Sequence, residues 1–255
     1  MNESNKNSQV SIIMPAYNCA KYISASIDSV LRQTNPNWEL IIVDDYSSDE
    51  TVEVVEDYSL HESRIFLIKL FENKGAGHAR NTGIQHAKSR YIAFLDSDDI
   101  WHQDKLQKQL EFMKRNNAKF SCTYYGKIDN NGNIDTRIIK NRKQFDYSVL
   151  LKEPPGNSSV IYDSEFVGLV QIPNIRKRND YVMWLQIIKI TLTIHTIDEV
   201  LMYHRIRKDS LSKNKVSLIK YHWNIYRSIE RLSIIKSVNL IIYWILKTLS
   251  VRYKR

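Results

Sequence analysis

Four short apolar runs, each followed by a helical pattern, constrain this chain more than any other feature. Val10-Ser11-Ile12-Ile13-Met14 is stopped by Pro15 and reads as a buried parallel strand. After Pro15-Ala16-Tyr17-Asn18, the residues Ile23, Ile27, Val30 and Leu31 share one helical face. Residues 38–43 form the second run and end in Asp44-Asp45, after which Ser47, Ser48 or Asp49 can cap a helix through about Asp57. Residues 65–70 are the third run, and Gly75-Ala76-Gly77 leads into a helix near 78–86. Residues 90–95 are the fourth, and from Asp104 a helix places Leu106, Leu110 and Met113 on one face. Consecutive strand–helix units predict an α/β fold: a mainly parallel sheet flanked by helices.

From residue 120 the pattern changes. Residues 120–128 and 134–139 flank Asp129-Asn130-Asn131-Gly132-Asn133, which predicts a hairpin. Pro154-Pro155-Gly156 is a break, residues 181–190 are apolar nearly all round and predict a buried helix, and residues 194–203 supply one or two short strands. A chain of 255 residues holds one large domain, or one domain plus an appendage.

Charge favours the appendage. Residues 204–255 hold thirteen Lys/Arg and two acids, a net +11, leaving 24 basic and 26 acidic residues, −2, for residues 1–203. That basic segment is helical and apolar in pattern, but its longest uncharged stretch has ten residues against the ~20 of a membrane span. It is expected either to lie on an anionic membrane surface or to pack on the protein. Trp223, Tyr226, Tyr243 and Trp244 interleave with Lys and Arg as in interfacial helices. Cys19 and Cys122 match no metal or redox spacing and fit a reducing, cytoplasmic compartment. Residues 1–9 read as a polar tail without the features of a signal peptide.

In an open parallel sheet, ligands gather at the carboxyl ends of the strands. Three such ends here carry Pro15-Ala16-Tyr17-Asn18, Asp44-Asp45 and Asp96-Ser97-Asp98-Asp99. The last places three carboxylates within four positions, which repel unless something positive sits among them. Closely spaced hard oxygens suit Mg²⁺ or Mn²⁺, with substrate phosphates completing the shell. The alternative is that Asp98 or Asp99 caps a following helix. Gly75-Ala76-Gly77-His78-Ala79-Arg80 lacks the third glycine of a dinucleotide fingerprint, so it either loosens a turn or faces a phosphate.

Taken in order, "VSIIMPAYNCAKYISASIDSVLRQT", "WELIIVDDYSSDET", "GAGHARNTGI", "YIAFLDSDDIW" and "NDYVMWLQI" resemble the family 2 glycosyltransferases of GT-A fold. The resemblance covers residues 10–203, with a weaker echo in "YHRIRKDSLSKNK". It implies a catalytic domain with a nucleotide-sugar-binding half (10–115) and an acceptor-binding half (116–203), then the basic segment 204–255. It also implies a nucleotide-diphospho-sugar donor, a divalent metal (Mn²⁺ or Mg²⁺) and inversion at the anomeric carbon. Pro15, Ala16, Tyr17 and Asn18 fall at the base-binding turn, with Tyr17 placed to stack on the base. Asp45, supported by Asp44, falls where a carboxylate accepts the base's N–H, which favours uracil. Gly75, Arg80, Asp96 and Ser97 fall at nucleotide-sugar-binding positions, Asp98 with Asp96 at the metal, and Asp180 at the catalytic base.

Each role has a rival. Tyr17 can simply pack, Arg80 can be a structural ion pair for Asp96, and Asp180 can cap the helix after it. The family often has Glu where Asn179 stands, and Gly where Tyr46 stands, so the Tyr46 turn is expected to avoid a positive φ. His204, Arg205, Arg207 and Ser210 fall in a donor-covering segment. The resemblance further implies a lipid-linked saccharide acceptor, work in surface polysaccharide or lipopolysaccharide assembly (O-antigen or capsule), and peripheral attachment to the cytoplasmic face of the inner membrane. A sugar-phosphate nucleotidyltransferase would carry a Gly-rich basic loop after the first strand, where this chain has Pro15-Ala16-Tyr17-Asn18. A nucleic-acid-binding protein would explain the basic tail but not Asp96, Asp98 and Asp180, so no nucleic acid partner is expected.

Overall fold

The structure, a computed structural model, describes residues 9–173, 175, 177–207 and 215–253. Its first half alternates as the pattern requires: β1 (Val10–Ala16), α1 (Ala20–Leu31), β2 (Trp38–Asp44), α2 (Thr51–His61), β3 (Ile65–Lys69), α3 (Ala76–His86) and β4 (Tyr91–Phe94). Then come β5 (Ile100–Trp101), α4 (Lys105–Arg115), β6 (Phe120–Ile128), β7 (Ile134–Ile139), β8 (Gln144–Phe145), α5 (Tyr147–Leu150), β9 (Ile161–Asp163), α6 (Ser164–Val167), α7 (Asn179–Thr191) and β10 (Ile194–Arg205). The basic segment forms α8 (Lys215–Asn224), one π-helical turn (Ile225–Ile229) and α9 (Ile234–Tyr253).

The described strands form one sheet in the order β3-β2-β1-β4-β9-β6-β10-β5, with β7 on β6 and β8 on β10. Strands β1 to β4 are parallel, β9 enters antiparallel between β4 and β6, and β10 lies parallel to β6. Every residue of β1 and β2 is buried, so no polar face alternates with an apolar one. The period of two survives as a division between two cores. Ile12, Met14, Leu40 and Ile42 pack with α1 and α4 residues, while Ile13, Ile41, Val43 and Phe94 pack with α3 and α7 residues. The predicted helical faces hold: Ile23, Ile27 and Val30, and likewise Leu106, Leu110 and Met113, are buried.

Pro15 does not stop β1, which continues to Ala16. The Ile13 carbonyl accepts from Leu95 N–H on the β4 side, and Pro15, two residues on, faces the same side beyond the last paired residues, Ile13 and Phe94. A missing N–H costs no ladder bond there. α2 begins at Thr51 and runs to His61, later at both ends than predicted. Asp49 still anchors its start, accepting the Thr51 N–H at 3.1 Å and the Ala20 N–H at 3.1 Å. The predicted hairpin is present as β6 and β7, and residues 194–203 lie in one strand whose register shifts between Ile197 and Met202. β9 has only three residues and was not predicted from the pattern, yet it joins the two halves of the sheet.

The C-terminal helices pack on the α7 side of the sheet, where Ile225, Tyr226 and Leu240 join Trp184 and Phe94 in one core. Both Tyr181 and Tyr226 donate their hydroxyls to the Leu151 carbonyl at 3.0 Å. Glu153 receives the Tyr243 hydroxyl and Lys247 Nζ. Among the described residues no helix is long and apolar enough to cross a membrane.

Candidate active site

The strand ends predicted from sequence lie side by side and are joined by hydrogen bonds. At the exit of β1, the Ala16 carbonyl accepts the Asp45 N–H at 2.8 Å. Asn18 Oδ1 accepts the Ser48 N–H at 2.8 Å, and the Asn18 N–H donates to Ser47 Oγ at 2.9 Å, so the turns after β1 and β2 are laced together. Buried Asp44 accepts the Ser47 N–H at 2.9 Å. Tyr17 leaves 50% of its surface open, so its ring is not consumed by packing. Asp45 is buried, with Oδ1 accepting the Lys74 N–H at 2.9 Å and Oδ2 the Gly75 N–H at 2.7 Å. Gly75 has φ 89°, a conformation that disfavours any side chain, and a Cβ on Gly77 would stand 3.2 Å from Asn179 Nδ2. Tyr46 does not avoid a positive φ: it adopts 66°, with the ring largely exposed, so the turn keeps the shape a glycine would favour.

The acids after β4 do have a positive partner within the chain. Buried Arg80, on α3, donates through Nη2 to Asp96 Oδ1 at 2.7 Å and through Nη1 to Asn179 Oδ1 at 2.8 Å. Asn157 Nδ2 donates to the same Asp96 oxygen at 2.8 Å, and the Asp96 N–H donates to Ser158 Oγ at 3.1 Å. Ser158 Oγ in turn donates to Asp99 Oδ2 at 2.6 Å. Burial pushes the Asp96 carboxyl up, opposed by the Arg80 charge, although the side chain keeps 30% of its surface open. Asp98 is pushed up to about 6, by burial first and then by the charges of Asp99 and Asp96. Its Oδ2 lies 3.2 Å from Arg207 Nη1.

Neither Asp98 nor Asp99 caps a helix, because the chain after them enters β5, and α4 starts only at Lys105. Asp99 instead holds the end of β10: its Oδ1 accepts from His204 Nδ1 and from the Arg205 N–H, each at 3.0 Å. The Asp99 charge chiefly raises His204 to about 9. Arg205 Nε donates to the Asp98 carbonyl at 2.8 Å. Ser97 lies against the Cys19 thiol. His204, Arg205 and Arg207 thus reach the acidic loop, while Ser210 lies outside the described residues.

Asp180 is in the first turn of α7, but that helix starts one residue earlier and is flanked by Arg178 at φ 63°. Asp180 is therefore not the cap, and its carboxylate makes no hydrogen bond or ion pair among the described residues. Its charge is the smallest of the influences that raise Asp96. Asn179, where the family often has Glu, links Arg80 to α7. Sequence reasoning missed Asn157 and Ser158, which follow the Pro154-Pro155-Gly156 break as small polar residues with no periodic signal.

Among the described residues, no group of three His, Cys, Asp or Glu side chains could hold a metal unaided. Asp96 and Asp98 fit a hard divalent ion that takes few protein ligands: both are carboxylates, partly open to the cleft, and each has a raised proton affinity that a nearby cation would relieve.

A mainly parallel sheet flanked by helices, with acids at its strand ends and extended by antiparallel β9, is the GT-A architecture. The family described as Glycosyl transferase family 2 matches residues 11–169, and the chain belongs to it. It is 42% identical over 229 residues to the putative teichuronic acid biosynthesis glycosyltransferase TuaG of Bacillus subtilis (strain 168), covering 89% of this chain and 91% of that one. It is 40% identical over 218 residues to the UDP-Glc:alpha-D-GlcNAc-diphosphoundecaprenol beta-1,3-glucosyltransferase WfgD of Escherichia coli, covering 85% and 84%. In fold it is similar to S. aureus TarS 1-349 in complex with UDP-GlcNAc, with TM-score 0.72 at 19% identity, covering 93% of this chain and 71% of that one.

Proposed function

We propose that this chain is an inverting glycosyltransferase that moves a sugar from a UDP-sugar to a saccharide on a lipid diphosphate carrier, in the assembly of a cell-surface polysaccharide. The observation that carries this reading is Asp180, a carboxylate in the first turn of α7 with no hydrogen bond or ion pair among the described residues, whose charge acts on Asp96 of the acidic loop. The names of TuaG and WfgD support the pathway and the acceptor class.

Residues 10–115 hold the donor, residues 116–203 the acceptor, and residues 204–255 keep the enzyme at the cytoplasmic face of the membrane. The open ring of Tyr17 stacks on the base, within reach of Asp44 and Asp45 at the neighbouring strand end. Asp98 with Asp96 would hold Mn²⁺ or Mg²⁺, which would supply neutralising charge to the diphosphate leaving group. Arg80 opposes the effect of burial on Asp96 and so favours its ionised form. Asp180 takes the proton from the acceptor hydroxyl as that oxygen attacks the anomeric carbon from the face opposite the diphosphate. One base on one face of the sugar inverts its configuration without a covalent intermediate.

A panel of UDP-sugars with Mn²⁺, reading transfer to a lipid-linked acceptor, tests the reading. Asp180→Asn and Asp98→Ala are expected to lower transfer by roughly 10²–10⁴. Transfer at the wild-type rate by either variant removes that residue from the mechanism.

A further inference from the structure

Helix α9 is held by one side only. Ser237 and Leu240 are buried, Tyr243 donates to Glu153, and the Trp244 ring centre lies 5.0 Å from that of His222. The opposite side carries Ile235, Val238, Ile242, Leu246 and Leu249, spaced by three or four residues and therefore aligned along the helix. They are 76%, 40%, 48%, 61% and 44% exposed, and Ile234 beside them is 60% exposed. A continuous apolar stripe along a surface helix marks a contact with something apolar.

The aromatic residues predicted to line an interface are mostly not on this face. Tyr226 is buried, Trp244 stacks inward, Tyr243 is hydrogen-bonded to Glu153, and Trp223 alone of the four is exposed.

Charge identifies the partner. α9 contains Lys236 and Arg252, besides the Lys247 that pairs with Glu153, and no acid, in a segment of net charge +11. A second copy of this face would bring like charges together, whereas anionic headgroups attract them while the acyl region takes the apolar stripe. No described helix can span a bilayer, so the contact is lateral. We infer that the protein lies on an anionic phospholipid bilayer through the α9 face formed by Ile235, Val238, Ile242, Leu246 and Leu249. The inference stands on packing and charge, independently of the catalytic reading.

Flotation of the full chain with vesicles of equal parts phosphatidylglycerol and phosphatidylcholine tests it, with pure phosphatidylcholine vesicles alongside. The wild type is expected to float with the anionic vesicles and to bind the neutral ones weakly. The double variant Ile242→Asp/Leu246→Asp is expected to lose about tenfold in binding, with a thermal midpoint within a few degrees of the wild type because both side chains are exposed. Leu60→Asp, at an exposed position on α2, serves as control and keeps wild-type binding. Equal flotation of the double variant and the wild type overturns the inference. So does a wild type that ignores anionic vesicles, or one that sediments as a dimer which the double variant dissolves. UDP release in the absence of any lipid acceptor is expected to be the same in wild type and double variant, so a failure of membrane binding is read separately from a failure of the proposed function.

Discussion

Strands β2 and β4 lead into carboxylates; those after β2 are held within the first half, whereas those after β4 draw most of their partners from the elements after Phe120. Asp96 is held by Asn157, Asp99 by Ser158, His204 and the Arg205 backbone, and Asp98 by Arg207. These partners lie between 59 and 109 residues away in the chain. The acidic loop draws only Arg80 from its own half, so its shape depends on both halves of the sheet being packed. One half contributes the charge and the other sets its position, with three-residue β9 as the seam between them.

The sharpest way to break this division of labour is Asn157→Ala. It removes the amide from Asp96 while leaving every acid in place, and transfer is expected to fall roughly 10–100-fold, as when an outer partner of a ligand is lost. The accompanying stability loss is about 1 kcal/mol, measured by urea unfolding. Wild-type transfer by this variant would reduce the second half to a cover.

A smaller effect tests how the C-terminal helices dock on that second half. His222 is 2% exposed, neither ring nitrogen has a partner among the described residues, and burial pushes its pKa down to about 3. In the unfolded chain it takes a proton near pH ~6.5. Its neutral burial therefore costs nothing above that pH, and stability drains as the pH falls toward 3, by up to about 1.4 kcal/mol per unit. Between about pH 7.5 and pH 5 the wild type is expected to lose roughly 2 kcal/mol through this group. His222→Phe is expected to lack that loss in unfolding measured at both pH values, and an equal loss in the two proteins would assign it elsewhere.

The smallest effect sits in the first half. Tyr46→Gly releases a left-handed residue from a turn that favours glycine and is expected to raise stability by about 0.5–1 kcal/mol, net of the freer unfolded chain. A loss in thermal unfolding would show that the Tyr46 side chain contributes more than its backbone costs.

The two halves also differ in how they are legible. Strands β1 to β4 are contiguous apolar runs because both faces of the sheet are covered, and their polar ends stand out against that background. Asp45, Asp96 and Asp98 stood out that way, whereas Arg80 and Asp180, on α3 and α7, came only from the family resemblance. Asn157 and Ser158 carry no periodicity, and Asp99 read as a cap because its true partners on β10 are remote in sequence. In the tail, the helical period was visible, but the period alone does not say which side the core will take. The aromatic residues turned largely inward and the isoleucines and leucines outward.

The unequal reach of the central strands gives the cleft a further property. β1 pairs with β4 only as far as Ile13 opposite Phe94, but with β2 as far as Ala16 opposite Asp44. That difference of three residues, at about 3.3 Å each, makes a step of about 10 Å. Tyr17 and Asp45 stand on the upper tread, and Asp96 and Asp98 on the lower. A point substitution alters what a tread carries and leaves its height unchanged. Adding a pair of residues to β4 would lift the lower tread by about 7 Å while keeping each side chain on its own face. The spacing between the Tyr17–Asp45 loops and the Asp96–Asp98 loop is thus held in strand length, out of reach of single replacements.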